Sequence, residues 1–109
     1  MIRVRLRTVD GVVASLESEG HAIRRGAVDS AACAVVSTLL QGIGKAFGSH
    51  WGCRLEGSVP EPGRFSMTLH GVDPDVTMWA AGVTDLLVRQ LDFIGEEYSG
   101  EVEVTHLQE

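Results

Sequence analysis

Apolar and charged residues begin to alternate at the second position of the chain. Ile2, Val4, Leu6 and Thr8 interleave with Arg3, Arg5 and Arg7, a period of two that predicts a half-buried strand. Asp10-Gly11 is a hairpin signal, because both residues tolerate the positive φ of a tight turn. A second strand then runs from Val12 to about Glu19, with Val12, Ala14 and Leu16 on one face and Val13, Ser15 and Glu17 on the other, until Gly20 breaks it. His21 falls just past that strand end. No period is present from Ala22 to Asp29, which reads as a loop.

The period then changes. Ala32, Val36, Leu39, Ile43 and Phe47 recur at helical spacing, giving a helix from about Ala31 to Phe47 with Asp29 or Ser30 as its cap and Gly48 as its stop. Trp51, Cys53 and Leu55, then Phe65, Met67 and Leu69, alternate with polar residues on either side of Pro60-Glu61-Pro62-Gly63, the pattern of a second hairpin. Asp73-Pro74-Asp75 opens a long helix, in which Val76, Ala80, Val83, Leu87, Leu91, Ile94 and Tyr98 form one stripe and Trp79, Leu86 and Phe93 a second. A last strand, at an edge, covers Glu101 to Thr105. The order ββαββαβ predicts an α+β fold: a two-layer sandwich, with two helices on one face of a mostly antiparallel sheet. Two apolar stripes on one helix exceed what a small sheet covers, so a symmetric homodimer is expected.

Composition adds exclusions. A chain of 109 residues, 44% hydrophobic and 22% charged, supports one domain spanning 1–109 and one site. The longest stretch without Asp, Glu, Lys or Arg, Ser30 to Gly44, is interrupted by Ser, Thr and Gln and falls short of a bilayer span. The alternating N-terminus lacks a secretory apolar run. No membrane partner and a cytoplasmic location are expected, with Cys33 and Cys53 as reduced thiols. The net charge of −6 opposes general nucleic-acid binding and suits a basic partner. Arg3, Arg5 and Arg7 share one strand face; a solvated, edge-protecting row is the ordinary reading, and RNA contact the minority one.

The candidate chemistry lies at Gly20-His21-Ala22 and Cys33-Ala34-Val35-Val36-Ser37. A thiol attacks a carbonyl only when a base or its surroundings favour the thiolate. In the first turn of a helix, the Cys33 sulfur lies near unpaired N–H groups and the positive end of the dipole, and those N–H groups suit an oxyanion. A cysteine among Ala and Val is ordinarily a small buried hydrophobe, so this local signal does not decide by itself. His21, Cys33, His50 and Cys53 do not have the short ligand spacings of a zinc site.

Ser18-Glu19-Gly20-His21-Ala22, Cys33 twelve positions after His21, and the run Cys33-Ala34-Val35-Val36-Ser37 resemble the ribosomal-processing cysteine protease family Prp. The end of the chain is similar too: Leu86 to Ile94, then Glu96-Glu97-Tyr98 and a strand from Val102 to Thr105. The resemblance implies Cys33 as nucleophile, His21 as general base, Gly20 admitting backbone close to the site and Ser37 supporting it. It also implies a homodimer, without a cofactor, that removes the N-terminal segment of large-subunit ribosomal protein number twenty-seven. That family usually has Asp three residues before the cysteine, in Gly-x-Asp-Ile-Val-Cys. Here the position is Ser30, with Asp29 beside it, and the alternative reading is a catalytically inactive, ribosome-associated binding module.

Overall fold

The structure is a computed structural model that describes residues 1–20, 31–58 and 63–109. Five strands form one sheet: β1 (Ile2–Val9), β2 (Val12–Glu19), β3 (Cys53–Ser58), β4 (Arg64–Val72) and β5 (Val102–Gln108), in the order β3-β4-β2-β1-β5. Helices α1 (Ala31–Ser49) and α2 (Thr77–Glu97) supply the second layer, α2 being entered through a 3-10 turn at Pro74–Val76. The order ββαββαβ and the α+β sandwich are those that the sequence pattern predicts. All strand pairs are antiparallel except β1 with β5, which run parallel with Ile2 opposite Val102. Backbone bonds clamp both ends of that pair, Ile2 N–H to Glu101 O and Asp10 N–H to Glu109 O, each 2.9 Å.

The core lies between the sheet and the helices. Ile2, Val4 and Leu6 face Leu40 and Phe47 of α1 and Leu87, Leu91 and Ile94 of α2 in one buried cluster. Strict alternation fails in β2. Its register against β1 shifts between Arg7–Ser15 and Thr8–Val13, leaving Ala14 as an extra residue. That bulge turns both Val13 and Leu16 inward, three positions apart. The hydroxyl of Thr84 on α2 accepts the Val13 N–H at 3.0 Å and donates to the Ala80 carbonyl at 2.8 Å, so a buried polar residue stands where apolar periodicity favours Val83. On α1 the buried residue of the middle turn is Leu40, with Leu39 half-buried beside it.

Trp51 departs furthest from expectation. The alternation of Trp51, Cys53 and Leu55 predicts a shared core face, but β3 begins only at Cys53 and Trp51 is 66% exposed. Gly52, at φ +81°, takes a backbone conformation open mainly to glycine and turns the chain before the strand starts.

The open face of the sheet carries the arginine row. Arg5 lies 3.5 Å from both Glu17 and Glu19, and Arg7 lies 2.9 Å from Glu109. With these carboxylates interleaved, the row offers little uncompensated positive charge to a phosphate backbone. Helix α1 has the length and mean hydropathy (1.3) of a membrane span, yet Ala32, Val36, Leu40, Ile43 and Phe47 are buried within this fold.

Candidate functional site

Cys33 is the third residue of α1, within its first turn. Its neighbour Ala32 is fully buried, and Cys33 itself is half-buried and packed against the core cluster. Burial of Ala32 and Val36 fixes the rotation of the helix and therefore the direction of Cys33. At about 100° per residue, Ser37 projects within roughly 40° of Cys33, and Gly44 and Gly48 continue the same flank. Lower down, that flank meets the second hairpin. A Cβ on Gly44 would lie 3.5 Å from the Phe65 ring of β4, and one on Gly48 3.3 Å from Leu55 of β3. Cys33 and exposed Ser37 therefore stand on the side of α1 turned toward β3 and β4.

The exit of β2 is built around Gly20. Its N–H donates to Gly63 O at 3.0 Å, which ties the end of β2 to the entry of β4. At φ +100° any Cβ here would overlap the Met1 carbonyl. This gives a physical content to the glycine singled out in the sequence: it lets the β1 backbone close against the residue preceding His21. His21, Asp29 and Ser30 lie outside the described residues.

The two thiols differ in setting. Neither is in a disulfide. Burial pushes the Cys53 thiol above its ordinary pKa, which disfavours its thiolate. Cys53 starts β3, at the other end of α1 from Cys33.

Sequence reasoning did not find a shallow, open groove of about 380 Å³ between the helices, lined by Ala34, Val35, Thr38 and Leu39 of α1 and Gln90 and Ile94 of α2. It lies on the flank of α1 roughly opposite Cys33 by helical rotation. Only the antiparallel packing of the two helices creates it, so no local motif announces it. Trp79, His50 and Trp51 also come together, at the far end of α1.

One prediction separates crowding from backbone strain. Gly11 (φ +78°) and Gly20 (φ +100°) both occupy the left-handed region, but a Cβ on Gly11 meets nothing within 4 Å. Gly11→Ala is expected to lose about 1–2 kcal/mol, the left-handed penalty alone. Gly20→Ala should lose more, because Met1 must also move. Urea denaturation of both variants checks the order; equal losses would refute the close approach.

No protein-family model matches the chain, and no curated protein matches it in sequence. Solved structures do. The ribosomal processing protease Prp from S. aureus, in complex with a covalently linked product peptide, superposes with a TM-score of 0.79 at 23% identity, over 97% of this chain and 99% of that one. The same protease with a substrate peptide gives 0.76 at 22% identity, again over 97% and 99%. SMU.848 from Streptococcus mutans gives 0.77 at 20% identity, over 100% of this chain and 99% of that one. Over 97% of its length, this chain has the fold of the ribosomal-processing protease Prp.

Proposed function

We propose that the protein is a cysteine endopeptidase of the Prp family, cytoplasmic, that removes the N-terminal extension of large-subunit ribosomal protein number twenty-seven. The observation that carries this reading is the position of Cys33 in the first turn of α1, within a fold whose S. aureus representative was captured with product and substrate peptides. His21 accepts the thiol proton as the sulfur attacks the scissile carbonyl carbon. The first-turn N–H groups of α1 hold the resulting oxyanion. On collapse, the imidazolium returns its proton to the departing amine, leaving a thioester on Cys33. Water, deprotonated by His21, then hydrolyses the thioester and restores the thiol. No cofactor or metal enters this sequence.

A second reading is kept by one residue. Where the family has Asp before the cysteine, this chain has Ser30 with Asp29 beside it. Without a carboxylate to orient the base, the protein would act as a ribosome-associated binding module.

Mass spectrometry of the extended ribosomal protein, incubated with enzyme, separates the two. The natural protein is expected to cut it. Cys33→Ala or His21→Ala should lower kcat by about 10⁴-fold, since nucleophile and base act as a unit, while Ser37→Ala loses less. Binding without cleavage, in the natural protein and in Ser30→Asp alike, would establish the binding module.

The assembly reading is a symmetric homodimer through α2. Leu86 and Phe93 are 55% and 62% exposed on that helix, two turns apart on one flank, which is a costly ridge for a monomer. Sedimentation is expected to show a dimer at micromolar concentration and a monomer for Leu86→Glu/Phe93→Glu. A natural monomer would refute the assembly.

A further inference from the structure

The turn between α1 and β3 presents Trp51 to solvent on a fixed backbone. The neighbouring His50 Nδ1 lies 2.7 Å from Trp51 O; a carbonyl only accepts, so Nδ1 is the donor. Gly52 O accepts the Asp73 N–H at 2.7 Å, and a Cβ on Gly52 would lie 2.9 Å from both Asp73 Cβ and Val76 Cγ2. The turn is also joined to the core through stacked rings. His50 lies over Trp79 at 3.9 Å between ring centroids, and Trp79 meets buried Phe47 edge-on at 5.4 Å.

Trp51 stacks outside this series, 6.3 Å from His50. Met78 is 90% exposed on the adjoining helix start. Asp73 and Asp75 are exposed on the same adjoining segment, and Asp73 Oδ1 is held by the Asp75 N–H at 2.9 Å. The Arg54 guanidinium, the closest arginine in sequence, is drawn over Gly71. The Trp51 turn thus packs, through Gly52, on a segment that carries two exposed carboxylates; an exposed indole and acidic groups attract Lys and Arg side chains, by cation–π attraction and charge pairing. Holding the indole in advance lowers the ordering cost of binding.

We infer that the Trp51 turn is an exosite for the basic body of the substrate, at the opposite end of α1 from Cys33. The inference rests on the proposed substrate: a ribosomal protein neutralises RNA phosphates and is therefore rich in Lys and Arg, complementary to a chain of net charge −6. Geometry sets its reach. From Cys33 to the end of α1 is about 24 Å at 1.5 Å per residue. An extended chain needs at least about seven residues to cover that distance. The extension is cut at one end of α1 while the basic body is held at the other.

The test compares Trp51→Ala and Asp75→Lys with the natural enzyme on two substrates: full-length ribosomal protein number twenty-seven, and a peptide of its extension ending within five residues after the cut. On the full-length protein both variants should raise KM about tenfold, the scale of a lost Trp–cation contact, with kcat unchanged. On the short peptide both should match the natural enzyme within about twofold. Equal effects on both substrates, or on neither, would overturn the exosite. A second arm does not depend on catalysis: calorimetric titration with the already processed ribosomal protein. Binding that weakens with salt and in Trp51→Ala supports the exosite even if nothing is cleaved, whereas no binding overturns it even if cleavage occurs. A shift of Trp51→Ala to a smaller sedimenting species would assign the patch to a second copy instead.

Discussion

The burial of one stripe of α1 against the sheet determines where everything else in the candidate site can be. Ala32, Val36, Leu40, Ile43 and Phe47 are inaccessible or nearly so, and five buried positions over four turns leave the helix no rotational freedom. With Ala32 inward, Cys33 is directed to the edge of the core, neither sealed within it nor free in solvent. A polar residue at Val36 or Leu40 would cost several kcal/mol through cavity and desolvation, and would release the orientation of the thiol along with it. The position of the first-turn N–H groups follows from the same packing. In the proposed reaction these N–H groups hold the oxyanion, which requires only that the helix begin where it does.

The two poles of α1 are built differently. At the Cys33 pole, the end of β2, the entry of β4 and the start of β1 meet through Gly20, Gly63 and Met1, a junction of backbone with little side-chain volume. At the other pole the chain turns on His50, Trp51 and Gly52, packed by aromatic rings against Phe47. A pole of backbone suits approach of a peptide main chain. A pole of rings and carboxylates suits side-chain recognition. The open face of the sheet has neither character, because Arg5 and Arg7 are matched by Glu17, Glu19 and Glu109, and cross-strand charge pairs of this exposed kind contribute little energy while keeping the surface soluble.

Element order and most of each helix's buried face were legible in the sequence because burial imposes a period, two for strands and about 3.6 for helices, although Leu40 and Thr84 take the buried places that the pattern gives to Leu39 and Val83. Where hydrogen bonding overrides burial, the period misleads. The bulge at Ala14 switches the inward face of β2, and the price is a lone Val13 N–H that Thr84, 71 positions later in the chain, must satisfy; no local pattern carries that information. Trp51 was misplaced for a related reason: its spacing to Cys53 fits a strand, but Gly52 is a turn residue held by Asp73 from across the fold. Cys33 was legible as a helix-start thiol. Its flank, facing β3 and β4 and away from the interhelical groove, follows only once the buried stripe is known. The pairing of His21 with Cys33 comes from sequence resemblance, since His21 is outside the described residues.

The central claim is that Cys33 is the reactive thiol, poised at the start of α1, while Cys53 is a structural one whose thiolate burial disfavours. Rates of iodoacetamide modification of the native protein at neutral pH, read residue by residue by peptide mass mapping, test it most directly. Cys33 should be modified faster than Cys53, and the difference should vanish in urea, where both settings are lost. Modification at equal rates in the native protein, or of Cys53 first, would contradict the account.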